Sequence, residues 1–217
     1  RQRQMCIRDS SITTPEKYSA YLFFFLVCFP LIVWAESSDS MQTEILSDLK
    51  RLYPRLESMD GVVISISRQR LLLLEQGIPA GSYIISSSRY GAGSEAGSYK
   101  TPIGQHRIKK KIGDGAEPGT IFKSRENTEQ VADIIHDPVV TNDDFVTSRI
   151  MWLDGLEEGL NKGIGIDSFD RYIYIHGTHE EGLLGQPASK GCIRMFNADV
   201  VELYELLPVG TLVVILP

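Results

Sequence analysis

The hydrophobic pattern of the chain changes near residue 61. Before it, apolar side chains recur every three or four positions across Met41–Ser58, as at Ile45 and Leu49, which predicts an amphipathic helix. Pro54 is expected to end or kink this helix early, because proline lacks the N–H group of the helical hydrogen bond. After residue 61, short runs of aliphatic and aromatic residues are separated by glycine-containing turns, which predicts a domain built mainly from strands.

The predicted strands follow one another closely in the first half of this domain. Val62–Ser67 and Leu71–Glu75 are expected to pair as a hairpin, Gly81–Ser88 is a third strand, and a further strand begins at the turn Lys100–Gly104. Lys111–Ser148, in contrast, is polar and has no clean periodicity. It is long for a connection inside a compact domain, and we predict a loop that covers a site or is partly disordered.

Apolar segments return towards the C-terminus. Arg149–Leu153 and Tyr172–Ile175 have the composition of strands, and Thr211–Leu216 is expected to be the last strand. Between them, Asn197 is predicted to cap a helix whose apolar stripe begins at Val200. The predicted fold class is therefore mainly β, with an N-terminal helix and one helix late in the chain.

The N-terminal region has the pattern of an export signal. Arg8 and Lys17 precede Tyr18–Ala35, which carries no charge and contains the helix-breaking Pro30, and we predict cleavage after Ala35. The alternative is an uncleaved membrane anchor, since this uncharged segment is near the minimum length for spanning a bilayer. The first ten residues start without Met and need not belong to the natural protein. The predicted organisation is a signal peptide (1–35), a polar linker and helix (36–60) and the β-rich domain (61–217).

The charge composition of the chain argues against nucleic acid as a partner. The net charge is −6, and the longest basic run is the lysine triplet at 109–111. Nucleic acid is not an expected partner, because binding phosphates needs a concentrated positive surface. We expect a monomer, in contact with a membrane only if the N-terminal segment stays uncleaved.

Cys192 stands out in this composition. The other two cysteines, Cys6 and Cys28, lie in the predicted signal peptide, so Cys192 would be the single thiol of the exported chain. Such a thiol cannot form an internal disulfide and is either buried and inert or kept for chemistry. His176 ends a predicted strand just before Gly177, and a neighbouring imidazole is the usual means of activating a thiol. The alternative is a buried histidine beside a buried cysteine with no catalytic role.

The segments H-G-T at residues 176–178 and S-K-G-C-I-R-M at residues 189–195 resemble the active-site signature of the L,D-transpeptidases, which cross-link bacterial peptidoglycan. That signature is a His, a variable loop and then Ser/Thr-His-Gly-Cys, so Lys190 replaces a second His that most members carry. The strand G-V-V-I-S-I-S, the turn K-T-P-I-G-Q-H and the final G-T-L-V-V-I also match. The resemblance therefore covers about Gly61 to Leu216 and implies the β-sandwich or barrel of this family, with the T-P-x-G turn close to the site.

The resemblance implies roles for the residues of the signature. Cys192 would attack a peptide carbonyl, His176 would take and return the proton, and the backbone carbonyl of Gly177 would orient the imidazole. Ser189 and the amides of Gly191 and Cys192 are candidates for the oxyanion pocket. Lys190 stands at the same pocket, where some members use an imidazole.

Arg194 lies two residues after Cys192. In an extended strand both side chains leave the same face, while Ile193 and Met195 point into the core. We hypothesise that Arg194 binds a carboxylate of the donor stem, because a guanidinium holds a carboxylate through two parallel hydrogen bonds. The alternative, a structural ion pair with one of the many acidic residues, is left open.

The activity implied is that of an exported L,D-transpeptidase. It would form an acyl-enzyme with the third residue of a tetrapeptide stem, release the terminal D-Ala and transfer the acyl group to an amine. The acceptor is left open, since water would make the protein an L,D-carboxypeptidase. No metal or nucleotide cofactor is implied. Two other classes are considered: a zinc hydrolase using His176, His179 and Cys192, and a wall-binding module without activity. His106 is expected to be a core or edge histidine.

Overall fold

The computed structural model describes residues 29–217, with side chains from residue 39 onward. Ser40–Pro217 forms one compact unit, and the described part of the other unit, residues 29–39, is helical. Most of the predicted signal peptide therefore lies outside the described residues. No helix within residues 29–217 is long and apolar enough to cross a membrane.

The compact unit is built from strands with a helix near each end, as the hydrophobic pattern predicts. The helices are α1 (Phe29–Leu52) and α2 (Asn197–Leu206). The strands are β1 (Gly61–Ser65), β2 (Arg70–Glu75), β3 (Ile78–Ser86), β4 (Gly104–Ile112), β5 (Thr120–Lys123), β6 (Glu126–Val131), β7 (Val146–Gly155), β8 (Tyr174–Gly177), β9 (Ile193–Met195) and β10 (Leu212–Leu216).

Eight of these strands close into a barrel. Neighbouring strands pair in the order β4, β10, β1, β2, β3, β9, β8 and β7, and β7 pairs again with β4. The pairs β1–β10 and β8–β9 are parallel, and the other pairs are antiparallel. The remaining strands, β5 and β6, form a hairpin attached to β7. Closure pairs both sides of each barrel strand and leaves the hairpin outside the closed sheet.

The core has two layers because β1 is buried on both faces. Val62 and Ile64 belong to a cluster to which every barrel strand contributes, and the apolar side of α2 packs against it. Val63 points the other way and packs with Ile45 and Leu49 of α1. The strand therefore reads as a continuous apolar run without the alternation of a half-exposed strand.

Two connecting segments contain regular structure that was not predicted. Lys111–Ser148 contains the hairpin β5–β6, which the sequence hides because nearly every residue of β6 is exposed and polar. Its two-residue turn, Ser124–Arg125, also lacks the glycine that usually marks such a turn, although both residues have positive φ, 53° and 72°. The predicted linker at residues 36–40 is part of α1. The helix ends at Leu52, as Pro54 predicts.

The packing of α1 gives a test of the fold. Leu49 is 1% exposed and Leu52 is 40% exposed on the same helix. We expect Leu49→Ala to lower the free energy of unfolding by about 2–5 kcal/mol, through lost burial and the cavity left behind. Leu52→Ala, the matched control, should change it by less than about 0.5 kcal/mol. Urea denaturation measures both, and similar losses would contradict the docking of α1 on β1.

Candidate active site

The parallel pair β8–β9 brings the two ends of the signature together. His176 lies opposite Arg194 in the register, and Cys192 immediately precedes β9. A cavity of about 80 Å³ opens beside them, lined by Asp144, Val146, His176, Ser189, Lys190, Cys192 and Arg194. Five residues predicted from the signature therefore line one cavity, although sixteen positions separate the histidine from the cysteine.

His176 is held as a neutral base. Its ring is 2% exposed, and Nδ1 donates a hydrogen bond of 2.6 Å to the backbone carbonyl oxygen of Gly177. This bond fixes the proton on Nδ1 and leaves Nε2 as the basic nitrogen. Burial lowers the pKa of His176 to about 4, so the ring is uncharged at neutral pH.

Gly177 is required at its position for steric reasons. A Cβ atom there would lie 2.5 Å from Oδ1 of Asn197 and 2.9 Å from the carbonyl oxygen of Thr147. Both neighbours are parts of a packed hydrogen-bond network, so neither can move away easily. The backbone that orients His176 can approach this network only because residue 177 has no side chain.

The Cys192 thiol is protonated at rest. Its Sγ donates to the backbone oxygen of Tyr172 at 3.3 Å and accepts from the backbone N–H of Tyr174 at 3.4 Å. Burial raises the pKa of the thiol to about 12. No hydrogen bond joins Sγ to the ring of His176 among the described residues. The resting pair is therefore a neutral thiol and a neutral imidazole rather than a thiolate and an imidazolium.

Ser189 shapes the turn that precedes Cys192. Its hydroxyl donates to the carbonyl oxygen of Cys192 at 2.6 Å and accepts from the N–H of Gly191 at 3.2 Å. Thr101, in the K-T-P-I-G turn, donates to the carbonyl oxygen of Gly191 at 3.0 Å. The T-P-x-G element thus lies next to the site. Two of the three groups expected to donate to an oxyanion, the Ser189 hydroxyl and the Gly191 amide, form hydrogen bonds within the turn itself.

Arg194 forms a buried ion-pair network. It is 1% exposed, and Nη1 donates to Glu180 Oε2 at 2.8 Å while Nη2 donates to Asp144 Oδ1. Ile193 and Met195 lie in the barrel core, as the strand alternation predicts. This arrangement matches the structural ion pair that was left open. A substrate carboxylate would have to displace Asp144 or Glu180, and binding of the stem by Arg194 stays a prediction.

Asp144 is a site residue that sequence reasoning missed. Burial disfavours its charged form, but the neighbouring groups, Arg194 foremost, together outweigh this effect, so the pKa of Asp144 is lowered. Nζ of Lys190 lies 3.9 Å away from its carboxylate, so the residue that replaces the usual second His faces Asp144. In the sequence it is one of two adjacent aspartates, Asp143 and Asp144, inside a polar segment. Such a pattern does not indicate that either residue lines a cavity.

Asn197 was predicted to cap α2 with its side chain, and this was wrong. It is the first residue of the helix, and its buried amide links several strands instead. Nδ2 donates to the Thr178 carbonyl at 2.8 Å and to Glu181 Oε1 at 2.7 Å. Oδ1 accepts from the hydroxyls of Thr147 and Ser148. A side-chain amide can donate two hydrogen bonds and accept two, so Asn197 can join four groups here, more than a helix cap would use.

The other described histidines of the barrel have structural surroundings. His106 is buried, with Nδ1 donating to the Gly104 carbonyl at 3.0 Å and Nε2 bonded to the Ser168 hydroxyl at 2.9 Å, as expected for a core histidine. His179 bonds to the Thr141 hydroxyl at 3.0 Å and packs on Phe145. No three His, Cys, Asp or Glu side chains in the described part of the chain are grouped to hold a metal ion.

The chain is similar to known proteins over most of its described length. The family model of the L,D-transpeptidase catalytic domain, YkuD, matches residues 59–215. Short stretches are similar to two Bacillus subtilis proteins named as candidate L,D-transpeptidases: YqjB, 51% identical over 55 residues, and YkuD, 54% identical over 41 residues. These stretches cover 24% and 19% of this chain and 31% and 25% of the relatives. The similarity thus spans less than a third of either relative.

Solved structures of the same enzyme class are more distantly similar. L,D-transpeptidase 3 of Mycobacterium tuberculosis, in complex with a faropenem-derived adduct, is 19% identical with a TM-score of 0.45, over 72% of this chain and 59% of that chain. An L,D-transpeptidase of Xylanimonas cellulosilytica is 20% identical with a TM-score of 0.39, over 71% and 59%. The family match is the finding that bears on function.

The buried network predicts different costs for its two cations. Arg194→Lys should lower the free energy of unfolding by about 3 kcal/mol or more, because one ammonium cannot satisfy two carboxylates on opposite sides. Lys190→Ala should cost less than about 1 kcal/mol, since its ammonium is 46% exposed. Urea denaturation checks both. If Arg194→Lys keeps its stability and loses only turnover of a stem peptide, Arg194 binds substrate after all.

Buried His106 predicts a pH dependence of stability. Burial lowers its pKa from 6.5 to about 4. Between these values the unfolded chain binds a proton that the folded chain does not, so stability falls as the pH drops from about 6.5 to about 4. In the same interval His106→Gln should be spared up to about 3 kcal/mol of this loss. Parallel stability curves for the two proteins would show that His106 is not buried as a neutral ring.

Proposed function

The chain belongs to the L,D-transpeptidase catalytic-domain family, and on that premise we propose that it is an exported cysteine L,D-transpeptidase acting on the tetrapeptide stems of peptidoglycan. The observation that carries this proposal is the placement of Cys192 and His176 in one cavity, with the histidine proton fixed on Nδ1 by Gly177. A nucleophile and an oriented base are the two groups that acyl transfer needs.

In the first half-reaction Cys192 attacks the carbonyl carbon of the third stem residue. The Sγ–H group leaves the Tyr172 oxygen and turns towards Nε2 of His176, which takes the proton as the S–C bond forms. The tetrahedral intermediate then collapses. The C–N bond breaks, Nε2 returns the proton to the leaving amine, and D-Ala departs, leaving a thioester on Cys192.

In the second half-reaction an amine attacks the thioester. His176 accepts a proton from the attacking nitrogen, the C–S bond breaks, and the sulfur leaves and regains a proton. The free thiol and the neutral imidazole are then restored. We assign the backbone N–H of Cys192 as the candidate oxyanion donor, because Ser189 and Gly191 use their own groups within the turn.

The neutral resting pair suits this sequence of steps. A low pKa at His176 and a high pKa at Cys192 oppose proton transfer before substrate binds. Transfer becomes favourable when the sulfur is already bonding to carbon, because the negative charge then moves to the carbonyl oxygen. Export follows from the charge and hydropathy pattern of residues 1–35 and is part of the proposal.

Mass spectrometry of the purified chain tests the nucleophile. Incubation with a tetrapeptide donor should release D-Ala and add the mass of the tripeptide acyl group to Cys192. Cys192→Ala should show neither product, since no other thiol lies between residues 36 and 217. Turnover by Cys192→Ala would end the proposal, and so would activity that a chelator abolishes and zinc restores.

The role of His176 has its own test. His176→Ala should lower the rate of acylation by about 10²–10⁴-fold, the usual contribution of a general base. His179→Ala is the matched control, because its ring bonds to Thr141 and is not among the residues that line the cavity. With both variants folded, an equal loss at His179 would contradict the assignment of the base.

A further inference from the structure

The tip of the β5–β6 hairpin carries a cation at a strained position. Arg125 has φ of 72° and follows Ser124 with φ of 53°, so both residues of the turn are in the left-handed region that favours Gly or Asn. A non-glycine residue there costs stability, and such strain is a starting point for asking what the side chain does. The turn gives no structural reason for arginine.

The Arg125 guanidinium lies on the aromatic residues beside the thiol. Its Cζ is 5.0 Å from the ring centroid of Tyr172 and 5.2 Å from that of Trp152. The backbone oxygen of Tyr172 is the one that accepts from the Cys192 thiol. The Arg125 guanidinium also interacts with the hydroxyl of Tyr174, whose backbone N–H donates to Cys192 Sγ at 3.4 Å. Arg125 is therefore at the rim of the catalytic site.

The other cations around the thiol are already engaged. Arg194 is paired with two carboxylates, and Lys190 faces Asp144. Arg171 donates to the backbone oxygens of Gly93 at 3.2 Å and Lys100 at 2.7 Å. Arg125, in contrast, forms no ion pair with a carboxylate of the described residues. The guanidinium interacts with the Tyr174 hydroxyl, and because it has five N–H donors, others remain available to an incoming anion.

We propose that Arg125 recognises the terminal carboxylate of the donor stem, an inference that rests on the proposed function. The residue released by Cys192 carries a free carboxylate one residue beyond the attacked carbonyl. Consecutive Cα atoms are about 3.8 Å apart, so this carboxylate stays at the rim of the site when the carbonyl reaches Sγ. A guanidinium seated over aromatic rings can present two parallel N–H donors to it.

The test compares two donors that differ only at this group: a tetrapeptide with a free terminal carboxylate and the same peptide with a terminal amide. The wild-type chain should be acylated by the free acid about 10- to 100-fold more efficiently than by the amide, the range expected for a charged hydrogen-bonded contact. In Arg125→Gly this ratio should fall to about one, mainly through KM. Glycine suits the turn, so the melting temperature should stay the same or rise.

Lys110→Ala is the matched control. Its ammonium lies 5.7 Å from the ring centroid of Trp152 and 5.8 Å from that of Phe169, so the variant removes the same charge from the same aromatic group without touching Arg125. It should keep the wild-type ratio. If Arg125→Gly keeps the ratio as well, or if its melting temperature falls and both donors lose equally, Arg125 has no part in recognition.

Binding separates failure of this inference from failure of the proposed function. In a Cys192→Ala background, calorimetry with the two peptides should show a preference for the free acid when Arg125 is present and none when it is glycine. That result supports recognition by Arg125 even if neither peptide acylates the wild-type chain. Absence of acylation would then reject the transpeptidase chemistry alone. Equal binding of both peptides to both proteins overturns the inference.

Discussion

The parallel pairing of β8 with β9 is the constraint on which the site depends. Parallel neighbours cannot be joined by a tight turn, so the chain must leave β8, cross over and return to run in the same direction. Here the crossover occupies the residues between Gly177 and Ile193. It carries Glu180 and Ser189, and it delivers Cys192 beside the strand that holds His176. The distance in sequence between base and nucleophile is a consequence of this topology.

A crossover beside a buried site needs its polar groups satisfied, and charged residues do much of this. Arg194 on β9 ties Glu180 of the crossover to Asp144 of the segment before β7. Asn197 ties Thr178 to Thr147 and Ser148 of β7. These two residues follow Cys192 closely in sequence, and between them they join three segments around the cavity. Burying such a network is costly unless nearly every partner is present, which makes the surroundings of His176 rigid.

Much of this arrangement could be predicted from sequence, and the exceptions have physical causes. Buried strands such as β1 and β8 can be predicted from sequence, because a short apolar run bounded by glycine is typical of a buried strand. The β5–β6 hairpin was missed because β5 has only four residues, β6 is exposed and polar, and the turn Ser124–Arg125 lacks glycine. Asp144 was missed because its importance comes from Arg194, far away in sequence. The residues of the signature were predicted together because they lie in two short segments of the sequence. A partner from across the barrel leaves no such pattern in the sequence.

The site keeps the Cys192 thiol protonated at rest, yet it holds groups that can stabilise negative charge during attack. A protonated thiol reacts slowly with oxidants as well as with carbonyls. Arg171 and Arg194 nevertheless stabilise negative charge at Cys192, and the N–H group of Tyr174 already points at Sγ. Burial outweighs these groups in their effect on the pKa of the thiol. Their stabilisation is expressed once a bound carbonyl shares the developing charge, so the same environment keeps the thiol inert at rest and supports it during attack.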